Sequence, residues 1–145
     1  MKIALKEAIV AFNLDEVPIG AVVVRDGKII SKAHNCTRTY KNPVKHAEII
    51  AIEEASQVLQ NERLLGCELY VTKEPCVMCA GAIVHARFDR VIIGARDEKY
   101  GACGTVFSVC GNQKLNHRPE IEFGILEAEA IKLLKDFFKQ KRKEK

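Results

Sequence analysis

No stretch of this 145-residue sequence stays apolar for the roughly 20 residues that a bilayer-spanning helix needs, and runs such as Ala80–Val84 fall far short. The N-terminus, Met1-Lys2-Ile3-Ala4-Leu5-Lys6-Glu7, has no apolar signal-peptide core and reads as a charged amphipathic start. A membrane role is therefore not expected, and the cytoplasm is the expected compartment. Internal repeats, low-complexity tracts and interdomain linkers are also missing, so residues 1–145 are expected to form one domain. Disorder is disfavoured by a composition that is 48% hydrophobic and 29% charged. A basic surplus is absent from most of the chain. The net +4 resides in the last seven residues, where Lys139, Lys141, Arg142, Lys143 and Lys145 face one acid, Glu144. Such a tail can add salt-dependent phosphate contacts but cannot read bases, and cations at a helix end also complement its dipole.

Six cysteines are present, but a disulfide framework belongs to short secreted chains. Two of them, Cys76 and Cys79, read as metal ligands. Cys36, Cys67, Cys103 and Cys110 read as reduced core or loop residues, with Cys67 opening an apolar strand.

Apolar spacing predicts an amphipathic helix over about residues 2 to 12, with Ile3, Ala4, Ala8, Ile9, Ala11 and Phe12 on its packed side. Two antiparallel strands, Ala21–Val24 and Lys28–Ala33, are joined by the hairpin signal Asp26-Gly27. A polar, turn-rich segment ending in Asn42-Pro43 leads to a helix reaching about Gln60, with Ile49, Ile50, Ile52, Ala55, Val58 and Leu59 expected in the core. Cys67–Thr72 predicts a third strand, residues 76 to 86 a second helix of the site, and Arg90–Ala95 a fourth strand parallel to the third. Residues 96 to 119 show no period and are expected to be an irregular functional stretch. A short strand at Glu120–Phe123 and a final helix from about Leu126 to Lys141 complete the pattern, with Ala130, Ile131, Leu133, Leu134, Phe137 and Phe138 as its apolar residues. The expected fold is α/β, a three-layer α/β/α sandwich around a mixed five-stranded sheet.

The chemistry is concentrated in Lys45-His46-Ala47-Glu48 and in Glu74-Pro75-Cys76-Val77-Met78-Cys79. One imidazole and two thiols form a donor set that suits zinc, and three protein ligands leave a fourth position open for water. Helical i, i+3 spacing after Pro75 puts both sulfurs on one face of a first turn, where the helix dipole favours thiolates. His46 and Glu48 would lie about 200° apart on an ideal helix, so they are expected in a first turn that points end-on into the cleft, with Pro43 marking the start. The two thiolates already offset the metal's charge, which leaves Glu48 free to carry protons for the metal's water. Two other readings exist. A dithiol redox centre fits poorly with Pro75 and the upstream His46 and Glu48. A closed structural site would need a fourth ligand from Cys36, Cys67, Cys103, Cys110, His34, His85 or His117, and would give Glu48 no task.

The spacing H-x-E with P-C-x-x-C is that of the zinc-dependent nucleobase deaminases. Over essentially its whole length the chain resembles the bacterial tRNA-specific adenosine deaminase family, of cytidine deaminase-like fold. The match runs from Glu16-Val17-Pro18-Ile19-Gly20-Ala21 through the two metal segments to Gly94-Ala95-Arg96-Asp97, Asn116-His117-Arg118 and Asp136-Phe137-Phe138. The resemblance implies a zinc-dependent homodimer, one Zn2+ per chain, converting adenosine to inosine at the wobble position of a tRNA anticodon stem-loop. It implies His46, Cys76 and Cys79 as ligands and Glu48 as proton shuttle, with activated water attacking carbon 6. It further implies that Ile19 and Asn35 line the nucleoside pocket and that the backbone at Ala47 meets the base edge. Asp97, its loop and the Phe137/Phe138 end of the last helix would meet flanking nucleotides. Read alone, Asn35 is a turn residue, Asp97 a cap, and at least one of the two adjacent phenylalanines core.

The chain departs from the family pattern at Lys73, where an apolar residue is usual, and at Asn42, where aspartate is expected. Its N-terminus is also shorter than usual, so the first helix is expected to lack a turn. The competing functions are a cytosine or guanine deaminase acting on a free base or nucleoside, and a zinc-stabilised RNA-binding module.

Overall fold

The computed structural model describes residues 1–145 and contains α1 (Lys2–Asn13), β1 (Gly20–Arg25), β2 (Lys28–His34), α2 (Ala47–Leu59), β3 (Cys67–Lys73), α3 (Val77–Ala86), β4 (Arg90–Ala95), β5 (Glu120–Phe123) and α4 (Glu127–Lys143). The strands form one mixed sheet in the order β2-β1-β3-β4-β5, with β1 antiparallel to both neighbours and β3, β4 and β5 parallel. Asp26 and Gly27 both take positive φ, 51° and 75°, as a two-residue hairpin turn matching the strand twist requires. Helices α1 and α4 pack together on one face of the sheet and α2 and α3 on the other, giving the expected three layers. No helix is long and apolar enough to cross a membrane.

The sheet's inner face supplies Ala21, Val23, Leu69, Val71, Val91 and Ile93 to the core beneath α2 and α3, and Ile83 and Phe88 close it from the helix side. Close approach is achieved with small residues. A Cβ on Gly20 would fall 1.9 Å from the Ala4 carbonyl oxygen, and one on Gly94 would fall 2.6 Å from the Thr72 carbonyl oxygen. Any side chain at Gly20 would therefore push α1 off β1.

The same device corrects the expected core faces. Helix α2 meets the sheet through Ala47, Ala51 and Ala55, all fully buried, while Ile50, Ile52 and Leu59 are only partly covered and Val58 is 61% exposed. Likewise α1 rests on Ala4, Leu5, Ala8 and Ala11, and Ile3 and Ile9 lie outside. Spacing places the stripe correctly within about a third of a turn, but an alanine face lets a helix sit nearer the sheet and displaces its larger side chains to the flanks. In α4 the two phenylalanines diverge as adjacent helical positions must: Phe137 is buried edge-on against Phe12, whereas Phe138 is 41% exposed.

Candidate active site

Two helices begin at the same point. The backbone of His46 is extended and forms the N-cap of α2, and Cys76, also extended, forms the N-cap of α3. This corrects the expectation that His46 and Cys76 lie inside the first turns. Each stands one position ahead of its helix, so His46 and Glu48 converge without having to share a helical face. Pro43 is not a helix start. It belongs to a turn in which the Val44 amide donates to the Asn42 carboxamide oxygen, 3.1 Å, and the His46 amide to the Val44 carbonyl, 2.8 Å. Asn42 thus closes the turn through its side-chain oxygen, as an aspartate would.

The two helix starts bring His46 Nδ1 to 3.8 Å from Cys76 Sγ and 3.5 Å from Cys79 Sγ. All three donor atoms lie within 4.8 Å of one another. A tetrahedral zinc with bonds of about 2.3 Å to sulfur and about 2.0–2.1 Å to nitrogen separates such donors by about 3.6 Å, so the donor set fits the ion in both type and spacing. The Cys79 thiol and then His46 hold Cys76 as a thiolate, with its pKa lowered to about 4, while the shared hydrogen bond with Cys76 and burial push Cys79 up. A divalent ion between the sulfurs would favour the thiolate form of both.

No other histidine or cysteine joins the cluster. His34 pairs with Glu7 at 3.3 Å, His117 Nε2 lies 2.6 Å from the Phe88 carbonyl, and Cys36 donates to the His34 carbonyl. The Cys103 and Cys110 sulfurs meet each other in the core, 3.3 Å apart.

Glu48 is 4% exposed beside these donors, and burial pushes its carboxyl up. A cavity of about 400 Å3 opens over His46, Glu48 and Cys76 and is walled by Ile19, Asn35, Asp97 and Phe138. Ala47 and Cys79 do not line it. Ala47, side chain and backbone alike, is fully buried at the start of α2. Asn35 is buried, with its amide on the Ile19 carbonyl at 3.0 Å, which ties the two expected pocket residues together.

Asp97 acts as both cap and wall. Its Oδ1 accepts the amides of Lys99 and Tyr100, and its Oδ2 meets Lys73 Nζ at 3.2 Å. Burial pushes its carboxyl up, and the two amides with Lys73 more than reverse that.

Val17, beside Ile19, and Tyr100, in the loop after Asp97, also line the cavity. Sequence reasoning missed two contributors. Thr37 lines the cavity as well. Glu74, 3% exposed, accepts the amides of Asp97 (3.1 Å), Cys103 (3.0 Å) and Thr105 (3.2 Å), together with the Thr105 hydroxyl. The irregular stretch is therefore folded around this one carboxylate. Gly101 is what lets it close, since a Cβ there would fall 2.5 Å from the Glu74 carboxyl carbon. The signal available was an acid held directly before Pro75-Cys76, ahead of a glycine-rich segment with no period of its own.

A family model for MafB19-like deaminases matches residues 1–142. The tRNA-specific adenosine deaminase of Aquifex aeolicus (strain VF5) is 49% identical over 98% of this chain and 93% of its own length. A solved structure from a study of A-to-I editing by tRNA:A34 deaminases at the wobble position of transfer RNA superposes with a TM-score of 0.89, 44% identity and coverage of 92% and 97%. The X-ray structure of guanine deaminase from Bacillus subtilis is also similar, at 39% identity and a TM-score of 0.65, but over only 72% of this chain and 67% of that one. Full-length correspondence decides between them, and the chain belongs to the MafB19-like deaminases and, among them, to the tRNA-specific adenosine deaminase family.

Proposed function

We propose that the protein is a single-domain, zinc-dependent deaminase that hydrolyses adenosine to inosine at the wobble position of a tRNA anticodon. The observation that carries the reading is the three-donor cluster of His46, Cys76 and Cys79 with buried Glu48 beside it, at the floor of a cavity. Zinc bound there supplies a Lewis-acidic centre that lowers the pKa of water toward about 7.

The rest falls to the chain's own residues. Glu48 takes a proton from the attacking water and passes it to ring nitrogen 1 as the oxygen bonds to carbon 6. The same carboxyl then takes the remaining proton of the new carbon 6 hydroxyl and delivers it to the departing amine, so one water enters and one ammonia leaves. Ile19 and Asn35 hold the nucleoside against the floor, and the Ala47 backbone, at the free amide end of α2, meets the base edge. A base stacked in a helix cannot reach this floor, so the substrate is a loop whose nucleotide swings out, with Asp97 and Phe138 contacting its neighbours. The exposed Val77 and Met78 on the outer side of α3 support a homodimer. A tRNA substrate and the lack of a membrane-crossing helix support a cytoplasmic enzyme.

The test is to incubate pure protein with an anticodon stem-loop carrying adenosine at the wobble position and, separately, with free adenosine, cytosine and guanine. Inosine from the stem-loop alone is expected, whereas ammonia from a free base would favour the base-deaminase reading. Prolonged chelation should abolish turnover and Zn2+ restore it. Cobalt substitution should report four-coordination with one non-protein ligand, and a spectrum of four protein ligands without product would favour a binding module.

A further inference from the structure

A second concavity adjoins the first. It is a groove of about 620 Å3 between the segment after β4 and the end of α4, and it shares Lys73, Asp97, Tyr100 and Phe138 with the cavity over the metal donors. Its charge is mostly positive. Arg96 is occupied by the Phe123 ring at 3.8 Å and the Thr105 hydroxyl, and Lys141 by Asp15 and Glu144, but Lys99, Arg142 and Lys145 have no carboxylate partner.

Lys73 stands where the two spaces meet. The last residue of β3, it is fixed by pairing opposite Ala95, and the next amide, Glu74, donates to the Ala95 carbonyl at 2.8 Å. Its ammonium is held by Asp97 with side-chain exposures of 23% and 12%. The Asp97 carboxylate accepts the two amides and this one cation, while a lysine ammonium carries three donors. Lys73 lines both spaces, and Asp97 is its one carboxylate partner, which leaves N–H donors of the ammonium without an acceptor in the chain. A bare Asp97 at this point would repel any phosphate passing from groove to cavity, and the paired lysine cancels that charge.

We propose that Lys73 is a substrate-positioning residue: held by Asp97 at the mouth of the cavity, its ammonium takes a phosphate adjoining the reacting nucleotide and directs the strand along the cationic groove. This rests on the RNA-loop reading above and assigns the point at which that strand leaves the cavity. A lysine makes a point-charge contact, so it fixes the path of the backbone without selecting bases.

The experiment compares wild type, Lys73→Met and Lys73→Arg on the anticodon stem-loop. It then repeats the comparison on stem-loops with a single uncharged methylphosphonate linkage, placed either 5′ or 3′ of the target adenosine. In Lys73→Met, KM should rise about five- to tenfold with kcat changed less than about twofold, and the slope of log(kcat/KM) against log salt should fall by about one, with Lys73→Arg restoring most of both. One of the two methylphosphonate substrates should cost the wild type a similar factor and cost Lys73→Met almost nothing more. The proposal is overturned if both uncharged linkages penalise wild type and Lys73→Met equally. It is also overturned if Lys73→Met lowers kcat and thermal stability together with KM and salt slope unchanged, which would make the ion pair merely structural. A wild-type enzyme inactive on the stem-loop would instead refute the underlying function, a result distinguishable from either.

Discussion

Three glutamates are buried almost equally, Glu16 at 0%, Glu74 at 3% and Glu48 at 4%, yet the walls and the floor of the site treat them differently. In the walls, each carboxylate organises a loop. Glu16 accepts the amides of Arg38 and Thr39 and the Thr39 hydroxyl, shaping the turn that leads to His46, and Glu74 does the same for residues 97 to 105. Glu48 in the floor accepts from no loop. Its near polar groups are its own amide and the Cys79 thiol, and it borders the open cavity. The opposite directions of two pKa values follow. Burial pushes both Glu16 and Glu48 up, but at Glu16 the bonds from Thr39 and Arg38 overcome it and leave the carboxyl below its usual range. Burial alone therefore does not separate a structural acid from a reactive one. What separates them is whether the lone pairs are already taken.

The largest effect should come from the floor. Glu48→Gln keeps the shape and removes the proton carrier, so turnover should fall about 10²–10⁴-fold while metal content stays at one per chain. Folding should be preserved, because no loop amide depends on that charge and the Gln carboxamide oxygen can still accept from the residue's own amide. Activity within tenfold of wild type would take Glu48 out of the proton path.

In the walls the order of damage should reverse. Glu74→Gln replaces a carboxylate serving three amides and a hydroxyl, and should cost roughly 2–4 kcal/mol in denaturant unfolding, because the Gln NH2 turns donor against donor. Turnover should fall with it, since Cys76 lies two residues on. Gly101→Ala strikes the same clamp from outside, with a Cβ 2.5 Å from the Glu74 carboxyl and 2.6 Å from the Asp97 carbonyl oxygen, at roughly 1–3 kcal/mol. In a Glu74→Ala background the Gly101 change should cost less. Full additivity would mean that the two do not share the clamp.

The contrast also marks what the sequence could tell. Features made by neighbours in the chain were legible: the Asp26-Gly27 turn, the strand patterns, the parallel return from β3 through α3 to β4, and the gathering of His46, Cys76 and Cys79 at one point. Their exact placement was less so, because His46 and Cys76 are extended N-caps, each one position ahead of its helix, and Pro43 and Pro75 mark the helix starts only approximately. The alanine faces of α1 and α2 were masked by larger apolar neighbours that satisfy the same periodicity. The roles of Glu16 and Glu74 were harder to read, since each bonds amides more than 20 residues away and an acid outside any apolar pattern reads locally as solvated; only the position of Glu74 directly before Pro75-Cys76 marked it out.

The smallest expected effect isolates the Glu16 wall by pH. Its folded carboxyl titrates below the unfolded value of about 4.3, so the native state holds fewer protons there than the unfolded chain does. The stabilisation is fully present above about pH 4.3 and is lost as pH falls through the depressed folded value. Other carboxylates titrate in the same window, Asp97 among them, so the informative quantity is the difference between wild type and Glu16→Gln. Unfolding midpoints in urea from about pH 6 to about pH 3 should show the two proteins separated by roughly 1–2 kcal/mol at the upper end and converging at the lower, with turnover per folded molecule nearly alike. Parallel curves would mean that the bonds to the 38–39 turn do not depend on the charge of Glu16, and the distinction between an occupied wall carboxylate and a free floor carboxylate would then rest on Glu74 alone.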